Sequence, residues 1–209
     1  DNPAGQKYKF KLPDGTIVHM NAESSIEYPE KFEENQRMIK MTGEAYFDVA
    51  TDSRRPFIIQ VKSDQVKVLG TSFNLKNTDK FELALVEGKV EVQDTNGEVI
   101  TLLPNEMLTK DEKGNVSKTE FDPMEIFGWK DQYLIFKDDS YPEVIQKMEA
   151  WFGVNIESTL KVDKGWSYSG SYHNKPLNQV LDGISISSEF DYKIEDKTVI
   201  ISNPKTNNL

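Results

Sequence analysis

The chain has 209 residues, 37% hydrophobic and 29% charged, with 11 Phe, 8 Tyr and 3 Trp; this suits one large folded domain or two small ones and excludes a disordered chain. Its 25 Lys and Arg against 35 Asp and Glu leave a formal net charge of −10, which repels a nucleic-acid backbone and an anionic bilayer surface alike. Cysteine is absent, so disulfides, thiolate nucleophiles and Cys-based metal sites are excluded, and no apolar run approaches the roughly 20 residues that a membrane-spanning helix needs.

The polar opening Asp1-Asn2-Pro3-Ala4-Gly5 looks like the start of an excised ectodomain or a processed chain. From Tyr8 to about Phe121 the sequence reads as short strands between turn signals. Strands are expected at residues 8–12 and 16–20, flanking the turn Pro13-Asp14-Gly15, in which proline presets φ and glycine takes the awkward conformation. Further strands follow at 38–41, 45–49, 57–61, 66–69, 73–76, 81–86, 90–93 and 99–103, the last two joined by an Asn96-Gly97 hairpin. Lys113-Gly114-Asn115 closes a final hairpin. Three similar turns punctuate this run, at Gly43, Gly70 and Gly88, each setting a glycine beside alternating apolar residues. Glycine permits positive φ or close backbone approach, and the alternation sends one strand face into a core. A series of such units predicts a mainly β domain over residues 1–123, solenoid-like or rolled from stacked β-hairpins.

The pattern changes near Asp122-Pro123. A short apolar stretch at 124–129 leads to a strand at 134–136. Ser140-Tyr141-Pro142-Glu143 then forms a capping box ahead of Val144, Ile145, Met148, Trp151 and Phe152 on one helical face, and Gly153 stops that helix. A strand at 154–157 follows. A second copy runs from a strand at 167–172 through Asn174-Lys175-Pro176, with Asn174 as expected N-cap, to Leu177, Val180, Leu181 and Ile184 on a helical face. A hairpin of strands 190–195 and 198–202 turns at Asp196-Lys197. Residues 124–209 are therefore expected to form a small α+β domain with a duplicated βαβ pattern.

No catalytic constellation emerges. His19 and His173 are the only histidines, no metal-ligand spacing or G-x-S-x-G elbow occurs, and no glycine-rich loop joins a strand to a helix N-terminus. Glu44 and Glu87 offer a carboxylate pair of the kind glycosidases use. Each flanks a turn glycine, where a charged residue is expected to face water. The reading is therefore no enzyme, no cofactor and no metal. Aromatic residues on short strands near an open sheet edge favour a protein partner that adds a strand there. Tyr168, Tyr172, Phe190 and Tyr192 are the candidate partner-binding residues.

The wording of the turns carries a resemblance. Leu12-Pro13-Asp14-Gly15-Thr16 with Asn21-Ala22, Gly43-Glu44-Ala45-Tyr46-Phe47-Asp48-Val49, Pro56-Phe57, Val68-Leu69-Gly70-Thr71-Ser72-Phe73-Asn74 and Val86-Glu87-Gly88-Lys89-Val90 occur in an order that closely resembles the FecR family. Leu103-Pro104-Asn105-Glu106 resembles that family's Leu-x-Pro-Gly-Glu element, with asparagine where glycine is usual. Phe136-Lys137-Asp138, Trp151-Phe152-Gly153-Val154, Tyr168-Ser169-Gly170-Ser171-Tyr172 and Pro176-Leu177 with Val180-Leu181 resemble the domain that follows in Bacteroidetes-type members, itself similar to the secretin and TonB N-terminus short domain.

The resemblance implies the periplasmic region of a single-pass inner-membrane regulator of an extracytoplasmic-function sigma factor. Its expected partner is the N-terminal signalling domain of a TonB-dependent outer-membrane transporter. The sigma factor would be reached through an upstream cytoplasmic segment, and the membrane only through an upstream helix, both outside this sequence. No nucleic-acid partner is expected. A carbohydrate- or cell-wall-binding module is the alternative.

Overall fold

A computed structural model describes residues 1–204 except Ser63, Thr95 and Glu112. The chain divides into two compact units: Asp1–Asn2 with Lys7–Lys130, and Pro3–Gln6 with the residues from Asp131 onward. Among the described residues no helix is long and apolar enough to cross a membrane.

The first unit is mainly β, a curled, half-barrel sheet of twelve strands among the described residues. Strands β1 (Tyr8–Lys11), β2 (Ile17–Met20), β3 (Ser25–Glu27), β4 (Arg37–Asp48), β5 (Phe57–Val61) and β6 (Asp64–Val68) are followed by β7 (Ser72–Asn77) and β8 (Phe81–Glu87). Then come β9 (Val90–Gln93), β10 (Val99–Leu102), β11 (Glu106–Lys110) and β12 (Val116–Glu120). The main path runs β10-β9-β6-β5-β4-β7-β8-β11-β12, with β1 and β3 reached through β2 and β4.

Where two separate strands were expected at 38–41 and 45–49, β4 is one continuous strand of 12 residues. Its first half pairs with β3 and, in parallel, with β5; its second half pairs with β2 and β7. Gly43 sits at the changeover with φ +83°, where a Cβ would collide with Ser24. Glycine therefore bends the strand from one set of partners to the other instead of ending it.

Alternation along these strands delivers Phe47, Phe57, Phe73, Ile39, Ile59, Leu75, Leu83, Leu85, Leu102 and Leu108 to a single core, each essentially inaccessible. Phe47 stacks on Phe73 at 5.3 Å and tilts against Phe57 at 6.2 Å. Each such side chain contributes about 1.5–3 kcal/mol on burial.

The β9–β10 and β11–β12 hairpins share one local device. Asp94 Oδ1 accepts the Asn96 and Glu98 amides, and Asp111 Oδ1 accepts those of Lys113 and Asn115. Asn105 occupies the left-handed region at φ +70°, which asparagine tolerates better than most residues, so the substituted turn is kept.

After β12 the chain forms α1 (Pro123–Phe127), N-capped by Asp122, and a 3-10 turn at Gly128–Asp131. Phe127 tilts against Tyr46 of β4 at 5.4 Å, and Lys130 Nζ lies 5.2 Å from the Tyr46 ring centroid. This connector therefore packs on the face of β4 opposite the core.

The second unit continues β13 (Tyr133–Asp139), α2 (Tyr141–Phe152), β14 (Asn155–Ser158), β15 (Tyr168–His173), α3 (Leu177–Ser188), β16 (Asp191–Glu195) and β17 (Thr198–Ser202). β13 pairs antiparallel with β15, while β17 lies between parallel β14 and antiparallel β16. Glu143 reaches back to the Ser140 amide at 2.8 Å, and Gly153 ends α2 in the left-handed conformation at φ +65°. The second helix begins later than expected. Pro176, at φ −69° and ψ 159°, is its N-cap, and Asn174 is at φ +48° with its amide bonded to Gln132 O. Val144, Met148, Val180, Leu181, Ile184, Phe190, Val199 and Ile201 form the core.

Candidate partner-binding surface

β15 alternates in exposure, so Tyr168, Gly170 and Tyr172 share the face that meets Leu134 and Phe136 of β13, while Ser169, Ser171 and His173 face outward. Gly170 is needed for this arrangement. A Cβ there would stand 2.8 Å from the Tyr168 hydroxyl, so only glycine lets the Tyr168 ring lie along its own strand. The Tyr168 and Tyr172 hydroxyls then meet at 2.5 Å. Phe136 contacts both rings edge-on, at 5.4 and 6.2 Å. Burial, and then the neighbouring Tyr168 phenol, push Tyr172 well above the ordinary tyrosine range. Trp166 stacks on Tyr168 at 6.5 Å and meets Tyr141 edge-on at 5.3 Å, extending the row.

Of the four candidate residues, Tyr168 and Tyr172 are adjacent and half-buried. Tyr192 of β16 lies against α3 instead, donating to Asp182 Oδ1 at 2.7 Å; burial first, then Asp182, raise it to about 12. Phe190 is 6% exposed and belongs to the core. The structure thus joins two of the four through their hydroxyls and sets Phe190 inward. In the ladder pairings β13 and β15 each have one strand neighbour, and β14 and β16 are the edges of the other sheet.

The first unit holds two polar arrangements that sequence reasoning missed. Arg37, the first residue of β4, is fully buried. Its guanidinium donates to Asp14 Oδ2 at 2.8 Å, Ala50 O at 2.7 Å and Arg55 O at 3.0 Å. Asp14 in turn accepts the Thr16 amide and hydroxyl. One side chain therefore ties the Pro13-Asp14-Gly15 turn to the chain entering β5. The available signal was a single arginine heading an apolar strand.

Glu44 was expected to face water as one of a carboxylate pair with Glu87. It is half-buried instead, accepting from Asn21 Nδ2 and Asn74 Nδ2 at 2.9 Å each, whereas Glu87 is exposed. Burial raises its pKa, opposed by Lys76, Asn74, Asn21 and the Trp129 indole, whose N–H stays outside hydrogen-bond geometry. Lys7, also desolvated, is lowered to about 8, with Glu44 opposing the shift. His19 meets Tyr46 edge-on at 6.1 Å, and His173 stacks on Tyr133 at 4.2 Å. No group of three or more potential metal ligands occurs among the described residues.

Two sequence families match the chain in succession: FecR protein over residues 2–91, and FecR, C-terminal, over residues 133–201. The chain is also similar to two crystal structures of a putative anti-sigma factor from Parabacteroides distasonis ATCC 8503, solved at 1.65 and 2.50 Å. Both are 32% identical and cover 98% of this chain; 98% and 97% of their own chains are covered, with TM-scores of 0.81 and 0.80. The chain belongs to the FecR family. None of the curated proteins matches it.

In this FecR-family chain the shared turns are structural ties. Asp14 and the carbonyl preceding Pro56 both bind Arg37, and Thr71 Oγ1 donates to Lys89 O in the next motif. The C-terminal match spans the aromatic row of Tyr141, Trp166, Tyr168 and Tyr172, and also Tyr192 against α3.

Proposed function

We propose that this chain is the periplasmic signal-receiving region of a transmembrane sigma-factor regulator. It relays the state of a TonB-dependent outer-membrane transporter to an extracytoplasmic-function sigma factor by reversible protein–protein contact, without catalysis. The observation that carries this reading is the succession of FecR and FecR C-terminal matches, together with likeness to an anti-sigma factor along nearly the whole chain.

Residues 1–123 serve as the stacked β-hairpin, solenoid-like scaffold. Residues 124–209, with motifs similar to the secretin and TonB N-terminus short domain, receive the partner through their duplicated βαβ pattern. The transporter's N-terminal signalling domain adds a strand at an edge of the second unit. Tyr168, Tyr172 and Tyr192 shape the adjoining surface, and Phe190 holds β16 on the core beneath it. Strand addition suits such an edge because main-chain hydrogen bonds supply affinity while alternate side chains supply selectivity. Relay requires different affinities for the transporter's two states, because equal affinity shifts no equilibrium.

The test is calorimetric titration of this chain with signalling domains of transporters from its own source organism. Saturable binding to one of them, weakened by proline in the strand that adds, supports the reading. Absence of binding across the whole set sinks it.

A further inference from the structure

The last turn of α2 is completed by residues far away in sequence. Pro3–Gln6 belong to the second unit, although Asn2 and Lys7 on either side belong to the first. An α-helix leaves its last four carbonyls without partners inside the helix. Gly153, the C-cap, donates its amide to Glu149 O at 2.8 Å, and the next carbonyl, Ala150 O, accepts from Gly5 N at 2.9 Å. The approach is backbone against backbone. A Cβ on Gly5 would stand 2.8 Å from Gly153 N, and one on Gly153 would stand 2.9 Å from Ala4 O. A side chain at either position would lift Pro3–Gln6 off the helix.

The same turn is tied to a sheet edge. β14 is the outer strand of its sheet and runs parallel to β17. The Asn155 and Thr159 amides donate to Lys197 O and Ile201 O, so strand alternation turns the Ile156 amide to the free side. There Glu149 Oε1 accepts it at 2.7 Å. A strand adding at β14 needs that N–H for its own carbonyl and takes it only by displacing the Glu149 carboxylate.

Glu149 and Ala150 are consecutive, so the side chain that guards the edge and the carbonyl that seats Gly5 move together. Helix ends are where local opening begins. Without the Glu149 side-chain bond, the Gly153 cap alone holds the last turn, and fraying of that turn carries Ala150 O away from Gly5.

We propose that Glu149 couples the free edge of β14 to Pro3–Gln6, so that a partner strand taking the Ile156 amide releases this segment from α2. The coupling rests on the strand-addition reading above for its trigger alone. In that reading the chain leading to Asp1 comes from the membrane, and Pro3–Gln6 are the second unit's residues nearest to it in sequence. An occupied edge and a seated segment oppose one another, which gives the partner a state to select.

The experiment is amide hydrogen exchange of the whole chain, followed by NMR with no partner present. Glu149→Ala reproduces the displaced carboxylate, Glu149→Gln keeps an acceptor for Ile156, and Gly5→Ala breaks the seat directly. Gly165→Ala is the control, because Gly165 has φ +95° and nothing within 4 Å of an added Cβ, so it carries backbone strain without a contact. Gly5 should be protected in the parent chain, exchange about tenfold faster in Glu149→Ala, and stay near the parent rate in Glu149→Gln. Coupling is reciprocal, so Ile156 should exchange faster in Gly5→Ala and not in Gly165→Ala. A Gly5 amide unprotected in the parent chain, or one whose rate does not change in Glu149→Ala, overturns the proposal. Should Glu149→Ala open the whole second unit, seen as lost protection at core Val199, the Gly5→Ala arm decides, and an unchanged Ile156 rate there overturns it. No transporter domain enters these rates, so failure here and failure of the strand-addition reading are told apart.

Discussion

Replacing Arg37 with methionine keeps the buried aliphatic stem and removes the guanidinium. The loss falls on four acceptors: Asp14 Oδ2, Ala50 O, Arg55 O and, at 3.5 Å, Leu69 O. Removing one partner of a buried ion pair costs about 3–5 kcal/mol, because the other charge and the freed carbonyls stay desolvated. Asp14 keeps its bonds from the Thr16 amide and hydroxyl, which favours the lower half of that range. At a few degrees per kcal/mol for a unit of this size, the first unit should melt about 10–15 °C lower. Asp14→Asn should also cost about 3–5 kcal/mol, since it leaves the Arg37 guanidinium buried without its anion and turns one of two accepting oxygens into an amide donor facing Thr16 or Arg37. Arg37→Met combined with Asp14→Leu should recover part of the loss, because an apolar pair is no worse than a satisfied buried ion pair. The assay is urea unfolding followed by Trp129 fluorescence for the first unit, with Trp151 and Trp166 replaced by phenylalanine in the background. An Arg37→Met change below about 1 kcal/mol would show that the buried tie is not what holds these loops.

Other expectations follow from the same geometry. Gly170→Ala should destabilise the second unit by about 1–3 kcal/mol through the clash with Tyr168, and absorbance titration should show Tyr172 ionising closer to 10. Tyr192 is raised to about 12 in the folded chain, so its contribution to stability is complete below pH 10 and is lost as pH climbs towards 12; Asp182→Asn should lower that pKa, and an unchanged titration would count against the bond. Lys7 has the opposite sign. Lowered from 10.5 to about 8, it makes the unfolded chain bind more protons between those values, so stability rises with pH across that window and the slope disappears in Lys7→Met. Glu44→Gln removes the carboxylate that opposes Lys7 desolvation, so the Lys7 pKa measured by NMR should fall further below about 8.

Local chemistry was legible in the sequence and long-range chemistry was not. The Pro13-Asp14-Gly15 and Asn96-Gly97 turns, the Ser140–Glu143 capping box and the Gly153 stop are each settled within four or five residues, and each appears in place. The family resemblance was legible for the same reason, since its motifs are local runs such as Leu12-Pro13-Asp14-Gly15-Thr16 and Trp151-Phe152-Gly153-Val154. Gly43 misled because a glycine with positive φ commonly ends a strand, whereas here new partners take over on its far side. Asn174 misled because a side chain suited to capping does not show where the first helical turn closes. Arg37 and Glu44 stayed hidden because their partners lie 13 to 32 residues away in sequence. On the candidate surface, strand alternation was enough to put Tyr168 and Tyr172 side by side, but nothing nearby in sequence separates Phe190, turned inward, from Tyr192, two residues on.

The twelve residues of β4 have a bearing on how the first unit comes apart. Because one strand supplies ladder partners to β2, β3, β5 and β7, neither half of the sheet can detach while the other survives intact. The β4 amides should therefore exchange with deuterium only through global opening, as one cooperative block, while β12 and the hairpin ends exchange through local fraying. A disturbance at either end of this strand would be felt along its whole length as a change in a single opening equilibrium.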